Sequence, residues 1–309
     1  MQILILGGTG FVGQNLIAQL SNNCENQLVI PIRKYNKARN LKVFPSVNLT
    51  ESNIYDDIIL EQLISESDIV INLVGTLYAG KQNKWPYNEE FFKIHVELPK
   101  RIAIACRKYG VRRFLHFSAI GSNSNGPSMY LRSKGDGEKV IYETFANSNK
   151  ESWTILQPSL IFGPNDKLTN RFANLAKWLP FIPIVSSNTK IQPIYVNDIG
   201  NFISYILDSE IGMNKVYELG GQKIYSLKEF VRLCAVYSGH PKKIYSISKR
   251  FEYLQAYLFE FLPWINFLSR DILNSLSVDS VISNSELLKD LNFSFSNFES
   301  IAPTYLNKT

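Results

Sequence analysis

The chain has 309 residues, enough for one large domain or a domain with a substantial lobe, and its 45% hydrophobic and 19% charged residues suit a folded globular protein. The net charge of +6 is modest and spread along the chain. It gives no footprint for nucleic acid and is compatible with an anionic ligand or an acidic partner surface. Cys24, Cys106 and Cys234 have no metal-ligand or C-x-x-C spacing, so they read as buried thiols in a reducing compartment, and no metal is expected. No uncharged run is long enough to span a bilayer, and an apolar strand begins at residue 2, so the expected location is cytoplasmic.

Gln2 to Leu6 reads as a buried parallel strand, and Gln14 to Leu20 as a helix with Leu16, Ile17 and Leu20 on one face. Between them lies Gly7-Gly8-Thr9-Gly10-Phe11-Val12-Gly13. A strand, a glycine-rich turn and a helix form the first half of a dinucleotide-binding unit. Gly7 permits a tight turn, Gly10 lets the backbone approach a pyrophosphate, and Gly13 lets the helix pack closely. The helix start then offers free N–H groups and partial positive charge to the phosphates. The G-x-x-G-x-x-G spacing resembles that of extended and atypical short-chain dehydrogenases/reductases. Glycines also mark plain turns, so the flanking strand and helix are what favour a cofactor.

Leu28 to Ile32 reads as the second strand. About 20 residues beyond the glycines, NAD-binding units carry an acid for the ribose hydroxyls, but this chain has Arg33 and Lys34 there. A guanidinium holds a 2′-phosphate where a carboxylate repels it, so NADP(H) is expected over NAD(H). The alternative is a solvated basic loop of Arg33, Lys34, Lys37 and Arg39.

Val43 to Leu49 reads as a third strand and Ile58 to Ile64 as a helix. Asn53-Ile54 stands where the resembled family carries an Asp-aliphatic pair against adenine. Asp68 to Gly75 reads as a fourth strand whose carboxyl end, at Val74 and Gly75, faces the cofactor in an open α/β sheet. A helix follows from His95 to Tyr109, with His95 as a helix-face residue and no catalyst. Arg113 to Ser118 is the fifth strand.

Tyr130 and Lys134 then share one face of a helix running through Val140. In short-chain dehydrogenases a Y-x-x-x-K pair moves a proton at the substrate oxygen: the ammonium lowers the phenol pKa and holds the nicotinamide ribose. The serine that normally completes this set has no clear counterpart, because Ser118 stands slightly early and Ser122 late. Tyr130, Lys134 and Ser118 are therefore expected at the cofactor, with turnover left open.

Trp153 to Pro164 reads as a sixth strand entering a Pro/Gly loop, with Pro158 over the nicotinamide by the same resemblance. A helix opening at Asn170 ends in Trp178 to Pro183. Gln192 to Ile199 and Tyr217 to Gly221 resemble segments that return the chain to the nucleotide domain, and Ser226 to Phe230 the helix after them. The expected fold is α/β, a Rossmann-like doubly wound parallel sheet with a smaller, mainly helical C-terminal lobe. Residues 1–165 with 191–221 would form the first, and 166–190 with 222–309 the second.

Tyr130-Leu131-Arg132-Ser133-Lys134 with Gly137-Glu138-Lys139-Val140, Pro158 to Gly163, Leu262-Pro263, Ser269-Arg270-Asp271 and Leu276 to Asp279 resemble one atypical branch of this superfamily. It is the branch of NADPH-binding accessory subunits of respiratory complex I, alpha subcomplex subunit 9, and their bacterial relatives. The resemblance covers nearly the whole chain and implies a tightly held NADPH, complex I subunits as partners, and a structural or assembly role. Gln157 departs from a basic residue common in that branch. The competing readings are an active NADP-dependent reductase, or a nucleotide-sugar epimerase/dehydratase using Tyr130 and Lys134, and a redox-sensing regulator. Phe251, Leu254, Leu258, Phe261 and Leu262 recur at helical spacing among further aromatics. That stretch reads as a helix over the cleft, or as a patch for a partner protein or the inner face of a membrane.

Overall fold

The computed structural model describes residues 1–77, 85–146, 152–209, 211–247, 270–283 and 293–307. The aromatic stretch between 251 and 267 lies outside them.

Seven strands form one parallel sheet: β1 (Gln2–Leu6), β2 (Gln27–Ile32), β3 (Val47–Glu51), β4 (Ile69–Asn72), β5 (Arg113–Phe117), β6 (Ser152–Pro158) and, far along the chain, β11 (Lys215–Leu219). Their order is β11-β6-β5-β4-β1-β2-β3, so the chain winds outward from β1 in both directions. The apolar runs of β1 and β4 are buried throughout, as a sheet covered on both faces requires. Helices α1 (Phe11–Leu20) and α7 (Val196–Asp208) cover one face through Leu16, Ile17, Ile199 and Phe202. On the other face lie α2 (Asp57–Ser65), α4 (Leu98–Tyr109) and α5 (Met129–Phe145), through Leu60, Ile102 and Ile141. All seven strands have their carboxyl ends along one edge of the sheet, and the crevice in which ligands of such sheets lie opens on that edge between β1 and β4, where the winding reverses.

Several boundaries depart from the sequence reading. Pro45 interrupts the expected third strand: a 3-10 turn occupies Arg39–Val43 and pairing begins only at Val47. The fourth strand stops at Asn72, because its side chain turns back to accept the Val74 N–H (3.1 Å). The helix expected from His95 starts earlier, as α3 (Glu89–Phe92), and reaches α4 through a π-helical turn at Lys93–Glu97. The sixth strand breaks at Pro158 and resumes as β7 (Ile161–Phe162), which pairs with β10 (Ile194–Tyr195). After α6 (Lys167–Trp178) comes β8 (Phe181–Ile184). Cys24 is exposed, not buried; only Cys106 and Cys234 are buried.

A second core gathers α6, β8, β9 (Lys190–Ile191), β12 (Tyr225–Ser226), α8 (Leu227–Tyr237) and two short C-terminal helices, Phe298–Ile301 and Pro303–Leu306, around Phe230 and Phe298. A strand β13 (Lys243–Ser246) pairs with β8 in parallel. At the amino end of β5, the buried Arg113 guanidinium donates to the carbonyls of Ile206 (2.6 Å) and Ile211 and to Thr154. This fastens the carboxyl end of α7, the negative end of its dipole, to the sheet.

Helix α5 is held by close backbone approach. A Cβ on Gly137 would lie 2.0 Å from the His95 carbonyl oxygen, so only glycine lets α5 meet the π turn at this distance. Gly137→Ala should therefore cost about 1–3 kcal/mol of stability, as forced overpacking does. A lowered urea midpoint with an unchanged m-value would show it; an unchanged midpoint would contradict the packing described.

Candidate functional site

The glycine turn shapes the first half of the site. Gly7 has φ +84°, and a Cβ there would sit 3.0 Å from the Leu73 carbonyl carbon, so the turn lies directly against the β4 loop. A Cβ on Gly13 would come within 2.6 Å of Gly8 Cα; this glycine lets α1 pack on the turn itself more than on the strand. Gly10 precedes α1 in extended conformation and donates its N–H to the Gly7 carbonyl (3.0 Å). The Thr9 carbonyl accepts from Gln14 Nε2 (2.9 Å), the Phe11 ring stands beside Gly163, and Val12 packs on the core.

Helix α1 has no capping side chain and no acid in its first turn. By contrast Asp56 caps α2, Ser128 caps α5, Asp166 caps α6 and Ser226 caps α8. The start of α1 thus keeps main-chain donors and partial positive charge for an anion.

Arg33 and Lys34 are exposed at the carboxyl end of β2. Arg33 is near enough to Tyr55 to act on its phenol, which burial raises and Arg33 lowers. It therefore stands beside the turn that carries Asn53 and Ile54. Asn53 shapes that turn by accepting the Tyr55 N–H (3.2 Å), while Ile54 packs on the core below.

Tyr130 and Lys134 lie on α5, whose amino end is fully closed. The Met129 and Tyr130 N–H groups donate to the Asp271 carboxylate (2.6 and 3.1 Å), and the Leu131 N–H to Ser128 Oγ (3.1 Å). Arg132 ties the same turn to the carbonyls of Pro86 and Gly126 (2.7 Å each). The Tyr130 ring stands edge-on to His95, with centroids 5.6 Å apart, and burial pushes its phenol up to about 12. Lys134 is buried; its Nζ donates to the Phe117 carbonyl (2.8 Å) and faces Gly75, from whose would-be Cβ it is 3.5 Å away. Burial pushes its ammonium down to about 8, opposed by the Glu138 carboxylate.

Glu138 follows Lys134 by one helical turn and is itself buried, which raises its pKa. Ser118, Gln157 Nε2 (2.7 Å) and Tyr142 Oη (3.4 Å) donate to it. Ser118 Oγ also lies 2.9 Å from Ser122 Oγ, so the two candidate serines share one hydrogen bond. Gln157 gives Glu138 a neutral partner. The Pro158 carbonyl accepts from Ile120 N (3.2 Å), joining the ends of β5 and β6.

His95 is fully buried, on the inward face of the π-helical turn. Its Nε2 accepts the Thr76 N–H (3.2 Å), which leaves the ring proton on Nδ1, pointing to Ser133 Oγ (2.8 Å). The Ser133 hydroxyl in turn donates to the Tyr130 carbonyl (2.9 Å). His116 pairs its Nδ1 with Asn72 Nδ2 (3.2 Å), and its Nε2 is buried without a partner. Burial, and then the Lys134 charge, holds both imidazoles well below the usual histidine range. The sequence reading assigned no role at the site to Glu138, His116, Asn72, Ser133 or Asp271. For Glu138 and Ser133 a signal existed, their helical spacing from Lys134 and Tyr130 on α5; His116 and Asn72 are brought in by the sheet and Asp271 by the C-terminal segment. Among the described residues no group of His, Cys, Asp and Glu could hold a metal.

Residues 3–220 match the NAD dependent epimerase/dehydratase family. The chain belongs to that family. Among its relatives is the NADH dehydrogenase [ubiquinone] 1 alpha subcomplex subunit 9, mitochondrial, of Dictyostelium discoideum, 32% identical over 231 residues, 74% of this chain and 61% of that protein. The Arabidopsis thaliana protein of the same name is 23% identical over 92% of this chain and 71% of its own length. The chain thus spans about three fifths of the first and more of the second. The fold matches that of a UDP-glucuronic acid 4-epimerase from Bacillus cereus, solved with UDP-glucuronic acid and NAD, at a TM-score of 0.76 and 15% identity over 100% of this chain and 99% of that one. The epimerase/dehydratase family accounts for the doubly wound sheet, an NAD(P)-binding Rossmann fold.

The neutral histidines give this family member an acid sensitivity. A histidine whose folded pKa lies below its ordinary value of about 6.5 binds fewer protons folded than unfolded, so its contribution is present above that pH and lost below it. Each such histidine should remove about 1.4 kcal/mol per pH unit below that point. His116→Asn should flatten the urea-midpoint-versus-pH curve between about pH 7 and 5 relative to wild type. Parallel curves would mean that His116 titrates in the fold as it does in the unfolded chain.

Proposed function

We propose that the chain holds NADP(H) as a resident, chiefly structural cofactor and serves as an accessory or assembly component of respiratory complex I. The observation that carries the cofactor reading is the uncapped, acid-free start of α1 on a glycine turn that a Cβ at Gly7 or Gly13 would obstruct. Gly7, Thr9, Gly10, Phe11, Val12 and Gly13 would hold the diphosphate. Arg33 and Lys34, at the end of β2 with no acid next to them in sequence, favour a 2′-phosphate. Asn53 and Ile54 would border the adenine. At the other end Val74, Gly75, Ser118, Tyr130, Lys134 and Pro158 would border the nicotinamide and its ribose.

The bound dinucleotide would supply hydride chemistry. The protein groups around it favour retention over turnover. Acid–base work at neutral pH needs a phenol with a lowered pKa, whereas burial raises that of Tyr130, and the Lys134 ammonium is engaged by the Phe117 carbonyl. The complex I assignment rests on the names of the relatives. It implies a peripheral position at the inner face of the membrane; no helix among the described residues is long and apolar enough to cross one. The second reading, a working NADP-dependent reductase or nucleotide-sugar epimerase/dehydratase, is favoured by the Tyr130–Lys134 pair on one face of α5. It requires Tyr130→Phe to abolish a measurable reaction while sparing cofactor affinity.

NADPH should co-purify with the chain, and the chain should migrate with complex I or its assembly intermediates on a native gel of gently solubilised membranes. Arg33→Ser, an exposed change, should weaken NADPH binding roughly 10- to 100-fold, the range of a charge-assisted hydrogen bond, and leave NADH binding nearly unchanged. Equal losses for both cofactors, measured by fluorescence titration, would remove the 2′-phosphate assignment.

A further inference from the structure

Residues 270–283 form a strap from the C-terminal part of the chain to the crevice of the sheet. Its first helical turns, α9 (Arg270–Ser275), carry Asp271, which is only 8% exposed. Both Asp271 carboxylate oxygens are used, one by the Met129 N–H and one by the Tyr130 N–H, across 142 and 141 residues of sequence. Ser275 Oγ adds a bond to Ser128 Oγ (2.8 Å), the hydroxyl that caps the same helix. Further along, Val278 covers Gly121, and the Ser280 carbonyl accepts from Ser159 Oγ (2.6 Å) just beyond Pro158. Leu273 packs on Val185, the residue after β8, in a small apolar cluster of its own. The strap therefore touches the start of α5, the loop after β5 and the end of β6, three segments that border the Tyr130 end of the crevice.

A helix start buried without partners is costly, and Ser128 satisfies only one of the three N–H groups concerned. The other two depend on a residue from the far end of the chain. We infer that Asp271 is a positioning residue for the nicotinamide end of the cofactor site: by seating on Met129 and Tyr130 it makes occupation of that end depend on docking of the C-terminal strap. The inference rests on the NADP(H) reading above. Because coupling of this kind is reciprocal, a bound dinucleotide also holds the strap down.

The test uses the full chain and two probes: NADPH, and adenosine 2′,5′-bisphosphate, which lacks the nicotinamide half. Asp271→Ala should weaken NADPH roughly three- to thirtyfold, the scale of a lost helix cap, and leave adenosine 2′,5′-bisphosphate binding unchanged. Asp271→Asn, which keeps one acceptor but turns an NH2 donor toward the second amide, should recover only part of the affinity. In hydrogen exchange, the Met129, Tyr130 and Leu131 amides should exchange faster in Asp271→Ala even without ligand, and NADPH should slow exchange across 270–283 in wild type. Ser275→Ala should shift the same readings in the same direction by less, and stands in if Asp271→Ala does not fold. Equal weakening of both probes would reduce Asp271 to a general stability role, and unchanged NADPH affinity with faster exchange would remove the coupling. Wild type that binds neither probe would overturn the cofactor reading instead, and the exchange of Met129 and Tyr130 would then decide separately whether Asp271 holds α5.

Discussion

The free N–H groups at a helix start must find partners, and this molecule treats its two central helices in opposite ways. The amino end of α5 is closed by Ser128 and Asp271, so its donors serve only to hold Tyr130 and Lys134 in place. The amino end of α1 has neither capping side chain nor acid, and it sits on the turn that glycine compresses against the β4 loop. Both ends face one crevice, because all seven strands of the sheet run the same way. One end is thereby a rigid wall and the other a place for an anion.

Behind that wall lies a compact polar layer. Lys134 and Glu138 are buried one helical turn apart, and each opposes the burial penalty of the other. Around them, His95 links Thr76 to Ser133, and Asn72 links His116 to Val74, so the loop after β4 is tied to α5 and to β5 through neutral imidazoles. A protonated ring would lose the acceptor that Thr76 requires and would face the Lys134 charge. The arrangement is suited to fixing geometry around a bound group. Ser118 is drawn into it by Glu138 and Ser122.

The C-terminal part of the chain contributes to the crevice as well as to its own core. Phe230, Phe298 and their neighbours form an apolar centre separate from those flanking the sheet. Between the two, the 270–283 strap delivers a carboxylate to α5 and a carbonyl to Ser159. The division into a nucleotide-binding part and a lobe therefore describes the cores better than it describes the site.

What the sequence alone determined was whatever depends on near neighbours. The apolar runs of β1 and β4, the glycine spacing, the basic Arg33-Lys34 pair after β2 and the i,i+4 placement of Tyr130 and Lys134 all follow from periods of two or 3.6 residues and from glycine's missing Cβ. Those features sufficed for a doubly wound α/β fold with a dinucleotide-type turn. Tertiary structure decided the rest. Pro45 and Asn72 moved strand ends through main-chain hydrogen bonding, which periodicity does not register. His95 looked like a helix-face residue, yet a π turn and the close approach of Gly137 bury it beside Tyr130. Asp271 lies 141 residues from the amide it caps. Local pattern specifies which elements form; which polar groups meet is settled only when the sheet and the strap bring distant segments within hydrogen-bonding distance, where burial makes every unpaired donor costly.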